Sequence, residues 1–371
     1  MAVGVQDLVD SAIGSGGIAV DEVTLPAGTI EVSDTITLTN VYGLVIRGAA
    51  GPIGTELLWT GIGDRPMWII NRTQWVSLEN FSIRASHTPL LEGVRVQQGT
   101  DAGGPSRWPG LDSSLCTLDR IVFRGSGQLG TCVRVHRFPN NNDRNDHHTF
   151  RRVQCTGFTY AGFVLEGRNA KAIVLDDCLI QGRNGARYGI DTVRDGAPFA
   201  VTGVPRPGIY NSGAQVFAYG IRIVGVTDAV RIGDRNGNFS IEGGYSEDCA
   251  RLLTVPHYEA PPGAGGPCAI TIRDFRFAIE HMVSDGIIVD CQGGSLAILD
   301  CTLGSFYRGK QVKIHVNTKG SFRFEGNFLT SDPEGDEDPV VFTGSEPDGA
   351  ASEWGRKNRV YRGAGMVPLM P

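Results

Sequence analysis

One six-residue pattern recurs along the chain, and its spacing restricts the possible folds more than any other feature. It reads LENFSI at 78–83, LDRIVF at 118–123, FRRVQC at 150–155 and LDDCLI at 175–180. It returns as AYGIRI at 218–223, IRDFRF at 272–277, ILDCTL at 298–303 and FEGNFL at 324–329, with a weaker copy, IEGGY, at 241–245. The third position is Asn80, Arg120, Arg152, Asp177, Gly220, Gly243, Asp274, Asp300 or Gly326. Asn, Asp and Gly suit a corner, because they tolerate left-handed backbone angles and can bond their own backbone. The two arginines do not share that preference. The fourth position is Phe81, Ile121, Val153, Cys178, Ile221, Gly244, Phe275, Cys301 or Asn327. This reads as a stacked interior column, with Asn327 as an inward amide that bonds the turn backbone.

Steps between fourth-position residues are 40, 32, 25, 43, 23, 31, 26 and 26, a floor of 23–26 with the excess as insertions. A floor of that size with strand–corner–strand content matches one coil of a parallel β-helix. No coil can bury its own apolar face, but coils stacked about 4.8 Å apart build a continuous core. The expected fold is therefore all-β: a single-stranded right-handed parallel β-helix over 18–344, on the order of eleven coils and roughly 50 Å long. Further strands at 162–165, 189–193, 229–232, 286–289 and 312–316 would form another face. Residues 1–17 hold a short amphipathic capping helix, with Val5, Leu8, Val9 and Ile13 near helical spacing. Residues 345–371 lose the repeat and read as a non-repeat tail, an assembly arm carrying Trp354, Arg356, Arg359 and Tyr361.

Composition narrows the function classes. Gly is 51 of 371 residues, which fits turns and opposes helical bundles. The formal charge of −6 argues against a nucleic-acid partner, which would call for a basic excess. No run approaches 18 apolar residues, so no membrane partner is expected. The first residues lack the basic start and apolar stretch of an export leader. Eight scattered cysteines, without CxxC pairs, read as buried free thiols.

The stretch LPAGTIEVSDTITL at 25–38, followed by VIRG at 45–48 and TELLW at 55–59, resembles the opening coil of the pectate-lyase-like right-handed β-helix superfamily. Such openings occur in polysaccharide-degrading enzymes and in phage tailspike-like proteins. The resemblance implies a virion protein of a tailed phage, tailspike-like or a surface decoration. It would be a homotrimer that contacts other virion proteins and host-surface polysaccharide. The alternative it implies is a stand-alone polysaccharide lyase or glycoside hydrolase. Ca²⁺ held by carboxylates would enter only in the lyase case, and no other cofactor is expected.

Candidate site residues follow from the insertions near 97–114, 135–148, 184–216 and 254–267. The densest polar one, FPNNNDRNDHH at 138–148, offers Asp143, Asp146 and His147 for acid–base work and Arg144 for sugar contact. Adjacent histidines on a strand point to opposite faces, so His147 and His148 do not share one ion, and no metal centre is expected. Asp176-Asp177 resembles the DDC motif of the polygalacturonase branch, where paired carboxylates activate water and protonate the leaving oxygen. The NTD, GHG and R-x-K elements of that branch are missing, and Asp177 also falls in the corner column. Trp108 beside Arg107, with Tyr188 and Tyr210, are the candidate sugar-stacking and sugar-binding residues.

Overall fold

The computed structural model describes residues 4–19, 21–97, 113–136, 146–166, 172–182, 209–212, 215–232, 238–255, 269–279, 286–305, 312–316, 322–330, 340–343, 352–354, 359–362 and 365–368. For 209–212, 340–343, 352–354, 359–362 and 365–368 it describes the backbone alone. The chain winds as a parallel β-helix in which each coil supplies up to three short strands, and each strand pairs in parallel with its counterpart one coil further on. The first ladder climbs from Val23–Leu25 through Val45–Gly48, Ser77–Glu79, Thr117–Asp119, Thr149–Arg151 and Ile173–Asp176. It continues to Ser295–Leu299 and Phe322–Glu325. The second runs from Gly28–Val32 through Thr55–Trp59, Ser82–Arg84, 122–124, 154–156 and Leu179–Gly182. The third begins at Ile36–Thr39, Pro66–Asn71 and Leu90–Gln97. It goes on through 129–136, Ile209–Ser212, Asp228–Ile232, Arg251–Val255, Ile287–Cys291 and Val312–Val316.

The six-residue pattern is the passage from first to second ladder. Its opening residues stand in register: Leu78, Leu118, Phe150, Leu175, Ala218, Ile241, Ile272, Ile298 and Phe324. Its third residues all take positive φ, from 47° at Asp177 to 71° at Gly326. Arg120 (φ 54°) and Arg152 (φ 53°) do so as well. A left-handed backbone costs an ordinary residue about 1–2 kcal/mol. Burying the next side chain, such as the fully buried Ile121 or Val153, returns about 1.5–3 kcal/mol, so the corner holds even with arginine. Gly244 departs from the apolar fourth column for a steric reason: a Cβ there would lie 2.1 Å from the Ile221 carbonyl oxygen. Asn327 is buried, as its column requires. Its Oδ1 accepts from the Cys301 N–H and its Nδ2 donates to the Ile298 carbonyl, both at 2.9 Å.

The interior is one continuous apolar column. Trp68 and Phe81 meet at 6.1 Å, Phe150 and Phe163 at 5.7 Å. The seven described cysteines are buried free thiols, and Cys268 lies outside the described residues. A helix at Val5–Ser11 covers the first coil with Val5 and Val9 buried. Gln6 satisfies the open edge of the third ladder: its Oε1 accepts from the Thr37 N–H (2.8 Å) and its Nε2 donates to the Thr37 carbonyl (3.3 Å). A side-chain amide thus stands in for the missing strand, which blunts end-to-end pairing.

The expected boundary at 344 moves. Ser352–Trp354 pairs in parallel with 322–324, and Arg359–Arg362 with Phe328–Thr330. Coiling therefore reaches Arg362, because short alternating segments add to the ladders even where the full pattern is degraded. The change of direction comes only at Gly365–Pro368, which turns back antiparallel onto Arg359–Arg362.

Candidate functional site

The third ladder carries several buried ionisable side chains that are linked from coil to coil. Thr37, Ile69, Arg95, Arg134, Val164, Tyr210, Arg231, Thr254, Asp290, His315 and Thr343 stand in register along it, and alternation turns the described side chains among them away from the interior. Two charged groups form on it.

The first joins Glu92, Arg95, Arg134, His136 and Glu166. Glu92 is 1 % exposed and takes ion pairs from Arg95 and from Arg134 Nη1 at 3.1 Å. Arg134 reaches the next coil as well, where Nη2 lies 2.9 Å from Glu166 Oε1. His136 Nδ1 stands 3.1 Å from Glu166 Oε2. Burial works to raise the Glu166 carboxyl, but the charge of Arg134 and the bond to His136 prevail and hold it below the usual range. Burial likewise disfavours the Arg134 cation, and its two carboxylate partners outweigh that and raise it. Each member is held by another, and the cation between the two acids keeps the Glu166 carboxyl and the Arg134 guanidinium in their charged forms.

The second group joins Asp228, Arg231, Arg251, Thr254, Asp290, Gln292 and His315. Asp228 is 3 % exposed, and Thr254 Oγ1 donates to its Oδ1 at 2.9 Å. Burial raises its carboxyl above the usual range, and the charges of Arg231 and Arg251 only reduce that effect. Asp290 pushes in the same direction as burial. Asp290 Oδ1 accepts from Gln292 Nε2 at 2.7 Å and lies 3.3 Å from His315 Nδ1. The arrangement is one buried carboxyl raised above the usual range and a second carboxyl beside an imidazole, a pairing of unlike environments suited to proton transfer.

The strands ending at Gln97, His136 and Val255 are each followed by a segment outside the described residues, 98–112, 137–145 and 256–268. Three of the four expected insertions therefore leave one edge of this ladder. The fourth enters the ladder at Ile209.

Of the residues singled out from sequence, Arg107, Trp108, Asp143, Arg144, Tyr188 and Arg356 lie outside the described residues. Tyr210 stands in register with Arg231, and Trp354, Arg359 and Tyr361 belong to ladder strands; for these four the backbone alone is described. Asp146 and His147 sit at the corner before the first ladder, where Asp146 bridges Ser114 and His147 is exposed at φ 60°. His148 points inward and is fully buried, so the two histidines do face opposite ways. Asp176 and Asp177 lie at the far end of the first ladder, four residues beyond Ala172, which is about 13 Å of extended strand. Asp177 is a corner residue whose carboxylate lies 3.4 Å from Arg222. The two candidate acidic clusters thus occupy opposite ends of one face. Sequence reasoning missed Glu92, Arg95, Arg134, Glu166, Asp228 and Asp290. The available signal was alternation: Arg231 and His315 interrupt the apolar strands AVRI and VKIHV at outward positions.

No protein-family model matches the chain, and no curated protein matches it significantly. Solved structures do match. The A-module of the Azotobacter vinelandii mannuronan C-5 epimerase AlgE4 superposes with a TM-score of 0.60 at 13 % identity, covering 97 % of this chain and 93 % of that one. The pre-mature bacteriophage phi29 gene product 12 superposes with a TM-score of 0.55 at 13 % identity, covering 84 % of this chain and 42 % of that one. The fold these structures share with the chain is the right-handed parallel β-helix. The chain spans less than half the length of the phage protein and nearly all of the epimerase module. At such identity the likeness fixes architecture alone.

Proposed function

We propose that the chain is a component of a tailed-phage virion that holds host-surface polysaccharide along the third ladder and assembles as a homotrimer. The observation that carries the reading is the outward column of Arg95, Arg134, Arg231, Thr254, Asp290 and His315, aligned coil by coil on one flank. Donors and acceptors on successive coils, Arg95 and Arg134 and then Arg231 to His315, match a linear polymer of repeating sugar hydroxyls better than a small ligand. Segments leaving one edge of that row add contact residues where binding residues concentrate. The matches to a phage gene product and to an epimerase module named for a polysaccharide are in keeping with both halves of the reading. The test is retention of the purified chain on host surface polysaccharide, with light scattering for assembly. Retention falls at least tenfold in His315→Ala and Asp290→Asn at unchanged melting temperature, and the mass is about 120 kDa, three times 39.8 kDa. Unchanged retention in both variants refutes the flank, and a mass near 40 kDa refutes the trimer.

The second reading, a polysaccharide lyase or glycoside hydrolase, is favoured by one feature, the raised Asp228 carboxyl near Asp290. In a hydrolase Asp228 would protonate the leaving sugar oxygen while Asp290 activates water. Release of reducing ends from host polysaccharide, abolished in Asp228→Asn, would establish it.

A further inference from the structure

On the side of the coil away from the third ladder, three arginines surround one carboxylate at the corner between the first and second ladders. Arg151 donates to Asp119 through Nε and Nη2, both at 3.2 Å. Arg152 donates through Nε at 3.2 Å and Nη2 at 2.8 Å, and Arg120 Nε lies 3.3 Å from Oδ2. Asp119 is 5 % exposed at its side chain, whereas the arginines are 43–48 % exposed. Burial works to raise the Asp119 carboxyl, but the bonds and charges of Arg151 and Arg152 prevail and lower it, so it is ionised at neutral pH. Three cations meet one carboxylate at this corner, an excess of two before the acids of the neighbouring coils are counted, on a chain whose formal charge is −6.

Folding does not explain this excess. Other described coils fill the same corner with Asn, Asp or Gly, which suit its left-handed backbone, while Arg120 and Arg152 adopt it at φ 54° and 53°. Nor does Asp119 need three partners, since one bidentate guanidinium satisfies a carboxylate. Each guanidinium has five N–H groups, more than its bonds to Asp119 use, and all three side chains are 43–48 % exposed. We propose that Arg120, Arg151 and Arg152 form an anion-binding site for a carboxylate- or sulfate-bearing glycan, separate from the third ladder.

The surroundings choose the ligand class. Along the axis the site is bounded by Glu79 one coil before, and by Asp176 and Asp177 one coil after. A nucleic acid carries a phosphate at every 3.4 Å of strand and would lay several of them on those carboxylates. A polysaccharide with one acidic group per repeat sets a single anion here and neutral sugars beside it. That the anion belongs to a glycan rests on the polysaccharide reading above; the arginine site itself does not.

The experiment measures affinity of the full chain for hyaluronate, with dextran as the neutral probe and double-stranded DNA as the competing polyanion. The variants are Arg120→Asn with Arg152→Asn, and Arg151→Gln. Asn suits the left-handed corner and Arg151 still pairs with Asp119 through two bonds, so the double variant keeps its fold, checked by its melting curve. The expected result is at least a tenfold loss of hyaluronate affinity in the double variant, a smaller loss in Arg151→Gln, and a shallower salt dependence in both. Unchanged hyaluronate affinity overturns the site. Tighter binding of DNA than of hyaluronate through the same arginines overturns the glycan assignment. The arginine variants separate the two proposals: their hyaluronate affinity falls whether or not His315→Ala lowers retention on host polysaccharide, so unchanged hyaluronate affinity overturns the corner site alone and unchanged retention in His315→Ala counts against the third-ladder reading alone.

Discussion

The two charged groups on the third ladder use the same residue types in a similar layout and reach opposite electrostatic states. Each begins with a buried acid three residues before an outward arginine, Glu92 before Arg95 and Asp228 before Arg231. Each adds a second arginine, a second acid on a later coil and a histidine beside it. In the first, Arg134 lies between the two acids and pairs with both, so opposite charge outweighs burial and Glu166 is lowered. In the second, the described partner of Asp228 at hydrogen-bond distance is the neutral hydroxyl of Thr254, and burial outweighs the arginine charges. Where the cation sits relative to both acids, rather than how many cations there are, decides whether a buried carboxyl keeps its proton.

The sharpest way to break this comparison is to remove one arginine from each group. Arg134→Met leaves Glu92 buried without its inter-coil cation, and loss of one partner of a buried pair costs about 3–5 kcal/mol. Arg231→Met costs less, because Asp228 answers by taking up a proton, and its penalty shrinks between pH 7 and pH 5. Thermal unfolding at both pH values checks this; equal penalties would show that the groups are alike. Next in size is a background that must be subtracted. His148 is fully buried with Nδ1 accepting from the Cys116 N–H at 3.3 Å, and burial depresses it from 6.5 to about 3. Between those values the unfolded chain binds more protons, so stability falls by up to about 1.4 kcal/mol for each unit of acidification. His148→Phe flattens the stability–pH curve across pH 4–6, read by denaturant titration.

The coil was legible from residues because its corner has a local cause. A left-handed turn followed by an inward side chain selects Asn, Asp or Gly and then an apolar residue, and that signature survives insertions of any length. Asn327 could be placed inward for the same reason. The charged groups were not legible, because their members meet across coils. Arg134 and Glu166 are 32 residues apart and Glu92 and Arg134 are 42 apart, and pairing them requires a register that variable insertions hide. Sequence density instead points to 138–148 and to Asp176-Asp177, where polar residues crowd in sequence; of these, Asp146 and His147 lie before the first ladder and Asp177 at the corner after it. The end of the coil was misplaced for a related reason: strand alternation at 352–354 and 359–362 outlasts the corner residues that mark a repeat.

The smallest effect is also the one with opposite sign in the two groups. Glu166 is lowered, so its contribution is present above the ordinary carboxylate range and lost as pH falls through its folded value. Replacing it by Gln removes charge-assisted bonds to Arg134 and His136 and lowers stability by about 1.5–3 kcal/mol at pH 7. Asp228 is raised, so the folded state binds more protons than the unfolded one just above the ordinary range, and stability declines there as pH rises. Asp228→Asn keeps an acceptor for Thr254 and abolishes the cost of ionising a buried group, so it raises the melting temperature at pH 7 by a few degrees. Paired melts at pH 7 and pH 5 read the contrast, with the gain from Asn vanishing at the lower pH. If Asp228 is also the proton donor of a hydrolase, the stabilised variant is the inactive one, a trade of stability for activity common where a strained group performs chemistry. A variant that melts higher and loses only binding assigns the group to recognition, and one that melts lower overturns the claim that burial dominates at Asp228.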